Sequence, residues 1–446
     1  MFNVVIPKSF LALSLIVAPW ASSLDVQPLL DAGDFAGAKV QLKAVLAESP
    51  DDADARLALG VTTFLGGVEE FVQTMYAHGL RDDVGGEFGM IFGPSAMLPV
   101  RFNPEPLKTS VDDVMTMLER MEEAMAEVDA ILEPIGDAEA HFDLRVGTVK
   151  MDLNGDGKLA DDEGLWRLYE AVINPRNGWG GDEENESEMP EEAQTFVLGL
   201  DTADAYWLRG YCNVFGAVGD VLLAHDHKEL FERVGHLLFD HVKTPYSWLA
   251  LYGDQGEWFS AEAVMDWVAM LHLLNLEVRD AGRMADAHAH LLEVVRLSRL
   301  NWAAVRAETD DANEWLPGPG QTGVLGINIG DEQVEAWLGF LDEAEKLLKG
   351  ELLIPFWRGG GAALLDEEGE WREDMNDVEV GMMHPTLGVN VKRVFMEPTR
   401  FDLFLWIQGS AAAPYLEEGP RTEGDFWNRL NREFGENFPG FAVWIN

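Results

Sequence analysis

Residues 110–132 read SVDDVMTMLERMEEAMAEVDAIL, and their apolar residues recur in alternating steps of three and four. The apolar positions are Val111, Val114, Leu118, Met121, Met125, Val128 and Leu132. This is the spacing of one face of an α-helix, and Ser110 with Asp113 is typical of a capping box at a helix start. Because Pro134 follows after about three heptads, the pattern predicts a helix packed inside a domain and not an independent coiled coil.

Helical periodicity also dominates the second half of the chain. The periodic segments are residues 203–224, 227–243, 260–281, 283–307 and 331–349. Residues 191–350 are therefore predicted to form a helical domain. We call it Trp-rich because it lies within the part of the chain that carries fourteen tryptophans, from Trp166 through Trp444. Residues 351–446 contain apolar runs that fit short strands and buried helix pieces equally well, so this part is predicted to be α or α+β. The fold class is predicted to be mainly α.

The chain combines strong acidity with a large apolar fraction. Asp and Glu total 79 against 32 Lys and Arg, which gives a formal net charge of -47, while 47% of the residues are hydrophobic. Disorder needs high charge together with low hydrophobicity, so this composition predicts a folded core. A surface this negative repels nucleic acids and anionic lipids, so neither is expected as a partner, and it favours cations or cationic partners.

Residues 1–23 have the pattern of a secretory signal peptide. Lys8 precedes the apolar stretch Phe10–Trp20, and the small residues that follow suit cleavage after Ser23. A membrane anchor is the alternative, but the stretch is too short, and no other segment approaches the ~18 apolar residues that a membrane helix needs. The pattern predicts export to a periplasm or out of the cell, with no membrane span after signal cleavage.

Residues 24–80 have the spacing of paired helices. The residues that define the spacing are Gly33, Asp34, Phe35, Ala38, Leu42, Pro50, Leu59 and Gly60. The segment resembles a tetratricopeptide repeat over about one and a half repeats, and in that family stacked helix pairs bind peptides or proteins. The alternative is a plain helical hairpin without a groove, because a true array needs about three repeats. Residues 81–136 are then a linker and the long amphipathic helix.

Residues 152–163 read DLNGDGKLADDE, which is the strongest motif in the chain. They resemble an EF-hand calcium loop, in which Ca²⁺ is bound by six to eight hard oxygen ligands. The ligands that this resemblance implies are the side chains of Asp152, Asn154 and Asp156, the backbone carbonyl of Lys158 and both carboxylate oxygens of Glu163. The side chain of Lys158 is expected to point away from the ion, since only its carbonyl is a ligand.

The EF-hand unit is predicted to cover residues 137–175. An entering helix is expected over His141–Met151 and an exiting helix over Asp161–Ile173. Leu159 matches the family's apolar position, which pairs with a neighbouring loop. No second loop of this quality occurs in the sequence, and the acidic stretch 182–188 lacks the required glycine, so a solvated loop is predicted there.

Weaker patterns carry little functional signal. Gly318–Gly323 matches a dinucleotide fingerprint, but it follows a helical segment instead of a strand, so a rigid loop is predicted and no organic cofactor. Cys212 lies in an apolar segment and is expected to be buried. The histidine pairs lack zinc spacing and are expected at caps or on the surface; they are His225 and His227, His236 and His241, and His288 and His290.

Six tryptophans lie in or near loops that contain Gly, Asn or Asp. They are Trp179, Trp248, Trp258, Trp315, Trp357 and Trp371. Exposed aromatic rings beside carboxylates bind sugars or cations by stacking and cation–π contacts, but filling gaps between helices is the default role.

The sequence predicts an exported calcium-binding protein that is a calcium-stabilised binding or scaffold protein and not an enzyme. The expected partners are calcium, a protein or peptide at the helical repeats, and a glycan. The alternative is an extracellular glycan hydrolase or lyase that uses carboxylates of the Trp-rich helical domain. No catalytic residue can be assigned for it, because a pair chosen among 79 carboxylates would fit by chance.

Overall fold

In the computed structural model the described residues are 25–81, 102–160, 163–166, 194–249, 261–309, 311, 313–324, 329–357, 387–434 and 438. The predicted signal peptide and the acidic stretch 182–188 lie outside them. The described residues are mainly helical, which confirms the predicted fold class. None of the described helices is both long and apolar enough to cross a membrane.

The α-helices of the described part are α1 (Gln27–Leu30), α2 (Phe35–Glu48), α3 (Ala53–Ala77), α4 (Val111–Leu132), α5 (Thr202–Leu223), α6 (Lys228–Val234), α7 (Ala261–Leu273), α8 (Ala281–Val305), α9 (Asp331–Lys349), α10 (Val391–Met396), α11 (Leu403–Gln408) and α12 (Gly424–Glu433). The strands are β1 (His141–Leu144), β2 (Leu198–Asp201), β3 (Asn275–Leu276), β4 (Ile354–Pro355), β5 (Leu387–Val389), β6 (Phe401–Asp402) and β7 (Leu416–Glu418).

Helices α2 and α3 form the hairpin at the start of the described chain. Asp34 caps α2 by accepting the backbone N–H of Gly37, and Asp52 caps α3 in the same way from Ala55. Ala38 and Leu42 of α2 are fully buried. Helix α4 packs on α3, and the capping box predicted at Ser110 and Asp113 is present at its start.

Helices α5 and α8 pack along their lengths in opposite directions. Asp220, near the end of α5, lies 2.8 Å from Arg283 at the start of α8, while Arg209 lies 3.9 Å from Glu293 further along. Arg209 also donates a 2.7 Å hydrogen bond to Asp129 of α4, so this buried guanidinium joins three helices. Cys212 of α5 is buried, as predicted, and burial raises the pKa of its thiol.

Two helices of the second half are shorter than the sequence predicts. Helix α6 ends at Val234 in a 3-10 turn, although the periodicity continues to residue 243. Helix α7 ends at Leu273, because the next residues pair as β3 with β6. Helix α9 covers Asp331–Lys349 as predicted and ends at Gly350, whose φ of 71° only glycine adopts readily.

The sequence left open whether the C-terminal part, residues 351–446, is α or α+β. Strands β4, β5 and β7 form a three-stranded antiparallel sheet beside the short helices α10 and α11, so this part is α+β. Trp302 of α8 and Trp337 of α9 are buried in the core between those helices and α12.

The helix predicted over His141–Met151 is wrong. This segment forms β1, which pairs antiparallel with β2, and then a 3-10 turn over Val146–Thr148. The backbone N–H of His141 donates to the Asp54 carboxylate of α3 at 2.8 Å instead of to a helical partner. Contacts with residues distant in sequence therefore override the local helical pattern.

Candidate functional site

The loop at residues 152–160 folds around the side chain of Asp152. Its carboxylate accepts the backbone N–H groups of Gly155, Asp156 and Gly157 at 2.8 to 3.1 Å. Gly155 and Gly157 have φ values of 72° and 79°, which is the left-handed region that favours glycine. Gly157 therefore lies in a sharp turn of the loop.

The next two predicted ligands continue the same pattern. Asn154 Oδ1 accepts the N–H of Asp156 at 2.8 Å, and Asp156 Oδ1 accepts the N–H of Lys158 at 2.8 Å. The Lys158 side chain does not point away, because its Nζ donates to Asp156 Oδ2 at 3.0 Å. This hydrogen bond lowers the pKa of Asp156. The sequence pattern did not predict this contact, in which the exposed Lys158 ammonium pairs with the nearby Asp156 carboxylate.

Glu163 closes the loop and is almost completely buried, with 1% of its surface exposed. Its Oε2 accepts the backbone N–H of Ala160 at 3.1 Å. Its Oε1 is buried without a hydrogen-bond partner among the described residues. A buried carboxylate oxygen without a partner is costly, and a cation in the loop would compensate it.

The two ends of the loop are held together by backbone pairing. Lys150 and Gly164 form an antiparallel bridge, and the N–H of Leu165 donates to Val149 O at 3.1 Å. Leu165 and Trp166 begin a helical turn, whereas Glu163 and Gly164, which the predicted exiting helix includes, are not helical; the other residues of that predicted helix lie outside the described residues. Trp166 packs edge-on against Phe196 at 5.6 Å between ring centroids.

The loop packs against the α2–α3 hairpin and not against a second calcium loop in the described part. Leu159 contacts the turn before α2. A Cβ added to Gly33 in that turn would lie 3.0 Å from Leu159 Cδ2. The N–H of Lys150 donates to Leu30 O at 3.1 Å. From α3, Glu69 Oε1 accepts the N–H of Asp152 at 2.7 Å.

Burial raises the pKa of Glu69 to about 7, and repulsion from Asp152 and Glu163 adds to the rise. Asp152, Asn154, Asp156, Lys158 and Glu163 lie in one loop, and carboxylate, amide and carbonyl oxygens are the ligands that Ca²⁺ prefers. The donor types suit Ca²⁺ and Glu163 Oε1 is left without a partner, but among the described residues the carboxylate oxygens of Asp152, Asp156 and Glu163 do not all come within 4.8 Å of one another.

A second carboxylate cluster joins the start of α5 to the end of α8. Oxygen atoms of Asp201, Glu308 and Glu314 lie within 4.8 Å of one another. Asp201 is the N-cap of α5, and Gln321 donates to Glu308 Oε2 at 3.0 Å. The glycine-rich segment that matched a dinucleotide fingerprint is thus a loop against this cluster. An acidic cluster of this kind can bind a cation or share protons.

Burial raises the pKa of Glu308 to about 8, with added repulsion from Asp201 and Glu314, and burial also raises that of Asp204. The sequence missed this cluster, because its members come from three separate segments. A groove of about 610 Å³ lies between α9 and α12, and its lining includes none of the three cluster carboxylates. The glycan hydrolase or lyase therefore stays a prediction.

The Glu308 carboxyl makes stability depend on pH. The folded protein retains a proton on Glu308 that the unfolded chain releases, so stability falls as pH rises from about 4.5 to about 8. We expect Glu308→Gln to remove about 1 kcal/mol of this fall, since the group is partly exposed to screening solvent. Urea unfolding near both ends of this pH window measures it, with the exposed Glu351→Gln as the control. Equal falls in Glu308→Gln and wild type would contradict it.

Most of the conspicuous histidines bond to structural groups. Ring nitrogens of His225, His227 and His288 lie 2.7 to 2.8 Å from backbone carbonyls, those of Val221, Leu222 and Leu348 respectively. The rings of His236 and His290 face Asp266 and Asn213. The contacts of His225 and His227 with carbonyls at the end of α5 are the capping role predicted for them, whereas His288 is buried in α8 and lies neither at a cap nor on the surface.

The loop tryptophans divide into packed and exposed residues. Trp315 packs edge-on against Trp207 at 5.5 Å between centroids. Trp248 is 57% exposed and Trp357 is 40% exposed. Trp179, Trp258 and Trp371 lie outside the described residues, so sugar or cation binding by loop tryptophans stays a prediction.

Comparison with known families identifies one segment. A family model described as a tetratricopeptide repeat matches residues 29–64, which run from α1 through α2 into α3. A repeat of this kind suggests protein partners. No curated protein matches the chain, and no solved structure matches it.

Proposed function

We propose that this chain is an exported calcium-binding protein in which the loop at residues 152–163 holds one structural Ca²⁺. The ion stabilises a helical binding or scaffold protein. Asp152, Asn154 and Asp156 supply side-chain oxygens, Lys158 supplies its carbonyl, and Glu163 closes the site.

The observation that carries this proposal is the state of Glu163. A carboxylate that is 1% exposed and has an unpartnered oxygen is unfavourable unless a cation or proton compensates it. Its position at the end of the loop is the one at which an EF-hand loop uses a bidentate glutamate. At the opposite end of the loop, the Asp152 carboxylate accepts the backbone N–H groups of Gly155 and Gly157.

The surroundings favour a structural ion over a signalling switch. The loop is fixed by Leu159 at the turn before α2 and by Glu69 and Gln73 of α3, so its ion would join the loop to the helical hairpin. Calcium sites of extracellular modules bind at roughly 10⁻⁴ to 10⁻³ M, and the medium outside the cell fills them continuously. The signal-peptide pattern of residues 1–23 supports such a location.

The binding role rests on the helical hairpin and the charge. The tetratricopeptide-like segment suggests a protein or peptide partner. The formal net charge of -47 favours a cationic partner over an anionic one.

Thermal melts with calcium and with a chelator test the proposed ion. At a calcium concentration 100-fold above Kd, binding should stabilise the folded protein by about 2.7 kcal/mol and raise the melting temperature. We expect Glu163→Gln to lose this rise, while the exposed Glu48→Gln at the end of α2 keeps it. A wild-type melting temperature that is the same in calcium and in chelator would contradict the proposal.

A further inference from the structure

Glu69 is a half-buried carboxylate of α3 that lies against the calcium loop but belongs to no calcium-binding signature. Its Oε1 accepts the backbone N–H of Asp152, the first residue of the loop, at 2.7 Å. The contact joins residues 83 positions apart in the chain. Glu69 therefore reaches the site only through the packing of α3 on the loop.

Gln73, one helical turn further along α3, contacts the other backbone group of the same residue. Its Nε2 donates to Asp152 O at 2.5 Å. Helix α3 thus fixes both the N–H and the carbonyl of Asp152. The entering helix that would do this in an ordinary EF-hand is missing here, because β1 and a 3-10 turn precede the loop.

The hydrogen bond alone does not explain a charged group at this position. A glutamine amide oxygen could accept the N–H of Asp152 equally well. Glu69 instead places a carboxylate beside Asp152 and Glu163, which repel it, with Lys39 as the opposing cation. Burying one carboxylate beside two others is unfavourable, and a divalent ion in the loop would reverse the sign of the interaction.

We propose that Glu69 is a positioning residue of the calcium site, which holds Asp152 in place and adds negative charge next to the loop. This inference rests on the calcium site proposed above. It makes calcium affinity depend on α3, and it makes the stability of the α2–α3 hairpin depend on calcium.

Glu69→Gln separates the charge from the hydrogen bond. In calorimetric calcium titrations of the full chain we expect this variant to bind about tenfold more weakly than wild type, the lower end of the effect of outer-shell changes at metal sites. In chelator the same variant should melt at a higher temperature than wild type, because a repulsive buried charge is gone. The neighbouring Glu70→Gln, an exposed change on the same helix, should alter neither value.

A lower calcium affinity together with a higher melting temperature in chelator distinguishes this role of Glu69 from a merely structural one. A variant with wild-type calcium affinity would overturn the inference while leaving the calcium site intact. A variant that loses both affinity and stability in chelator would also overturn it, because it would assign Glu69 to packing. If wild type binds no calcium and Glu163→Gln changes nothing, the proposed function fails and the inference fails with it.

Discussion

Arg209→Met is expected to lower the free energy of unfolding by about 3 kcal/mol, which is the cost of breaking a buried ion pair from one side. The Arg209 side chain is only 5% exposed. Its Nε donates to Asp129 at 2.7 Å, and its Nη2 lies 4.0 Å from Glu133 and 3.9 Å from Glu293. Methionine fills most of the same space but removes the cation from Asp129 at the junction of α4, α5 and α8, while Glu293 keeps its pair with Arg296.

Urea unfolding compares this variant with Arg279→Met, which removes the same charge from an exposed pair. The Arg279 side chain is 62% exposed and pairs with Asp226, so its loss should cost less than about 1 kcal/mol. Equal costs for the two variants would show that the buried position of Arg209 contributes nothing.

Gly60→Ala is expected to cost about 2 to 3 kcal/mol, although the substitution favours the helix by itself. A Cβ at Gly60 would lie 2.3 Å from Leu132 Cδ2 and 2.6 Å from its Cγ. Leu132 is fully buried at the end of α4 and cannot move aside. Gly60 therefore permits the close packing of α3 against α4.

A double-mutant cycle measures the contact directly. Leu132→Ala opens the space that the new methyl group needs, so adding Gly60→Ala to that variant should cost nothing further. Gly339→Ala in α9 is the matched control, because no atom lies within 4 Å of the added Cβ, and it should stabilise the protein by about 0.5 to 1 kcal/mol. A Gly60→Ala cost that persists in the Leu132→Ala background would contradict this explanation.

Helices with strong periodicity and clear end signals could be predicted from the sequence. Helix α9 has the predicted bounds because Gly350 ends it, and α4 begins at the predicted capping box of Ser110 and Asp113. These signals are local, since they depend on residues within one helical turn. The tetratricopeptide-like spacing was predictable for the same reason, and the match at residues 29–64 supports it.

Features that depend on distant contacts could not be predicted. The entering helix at His141 was wrong because the pairing of β1 with β2, more than fifty residues later, decides that segment. Glu69 and the Asp201–Glu308–Glu314 cluster were missed because each joins residues far apart in the chain. The short apolar runs of the C-terminal part were ambiguous because strand and helix patterns coincide over four to six residues.

Calorimetric titration of the full chain with calcium tests the central claim most directly, with Glu163→Gln measured beside wild type. We expect wild type to bind one ion per chain, at roughly 10⁻⁴ to 10⁻³ M as in extracellular modules, and we expect the variant to show no binding in this range. Absence of binding by wild type at millimolar calcium, or an unchanged affinity in Glu163→Gln, would contradict the assignment of this loop as the calcium site.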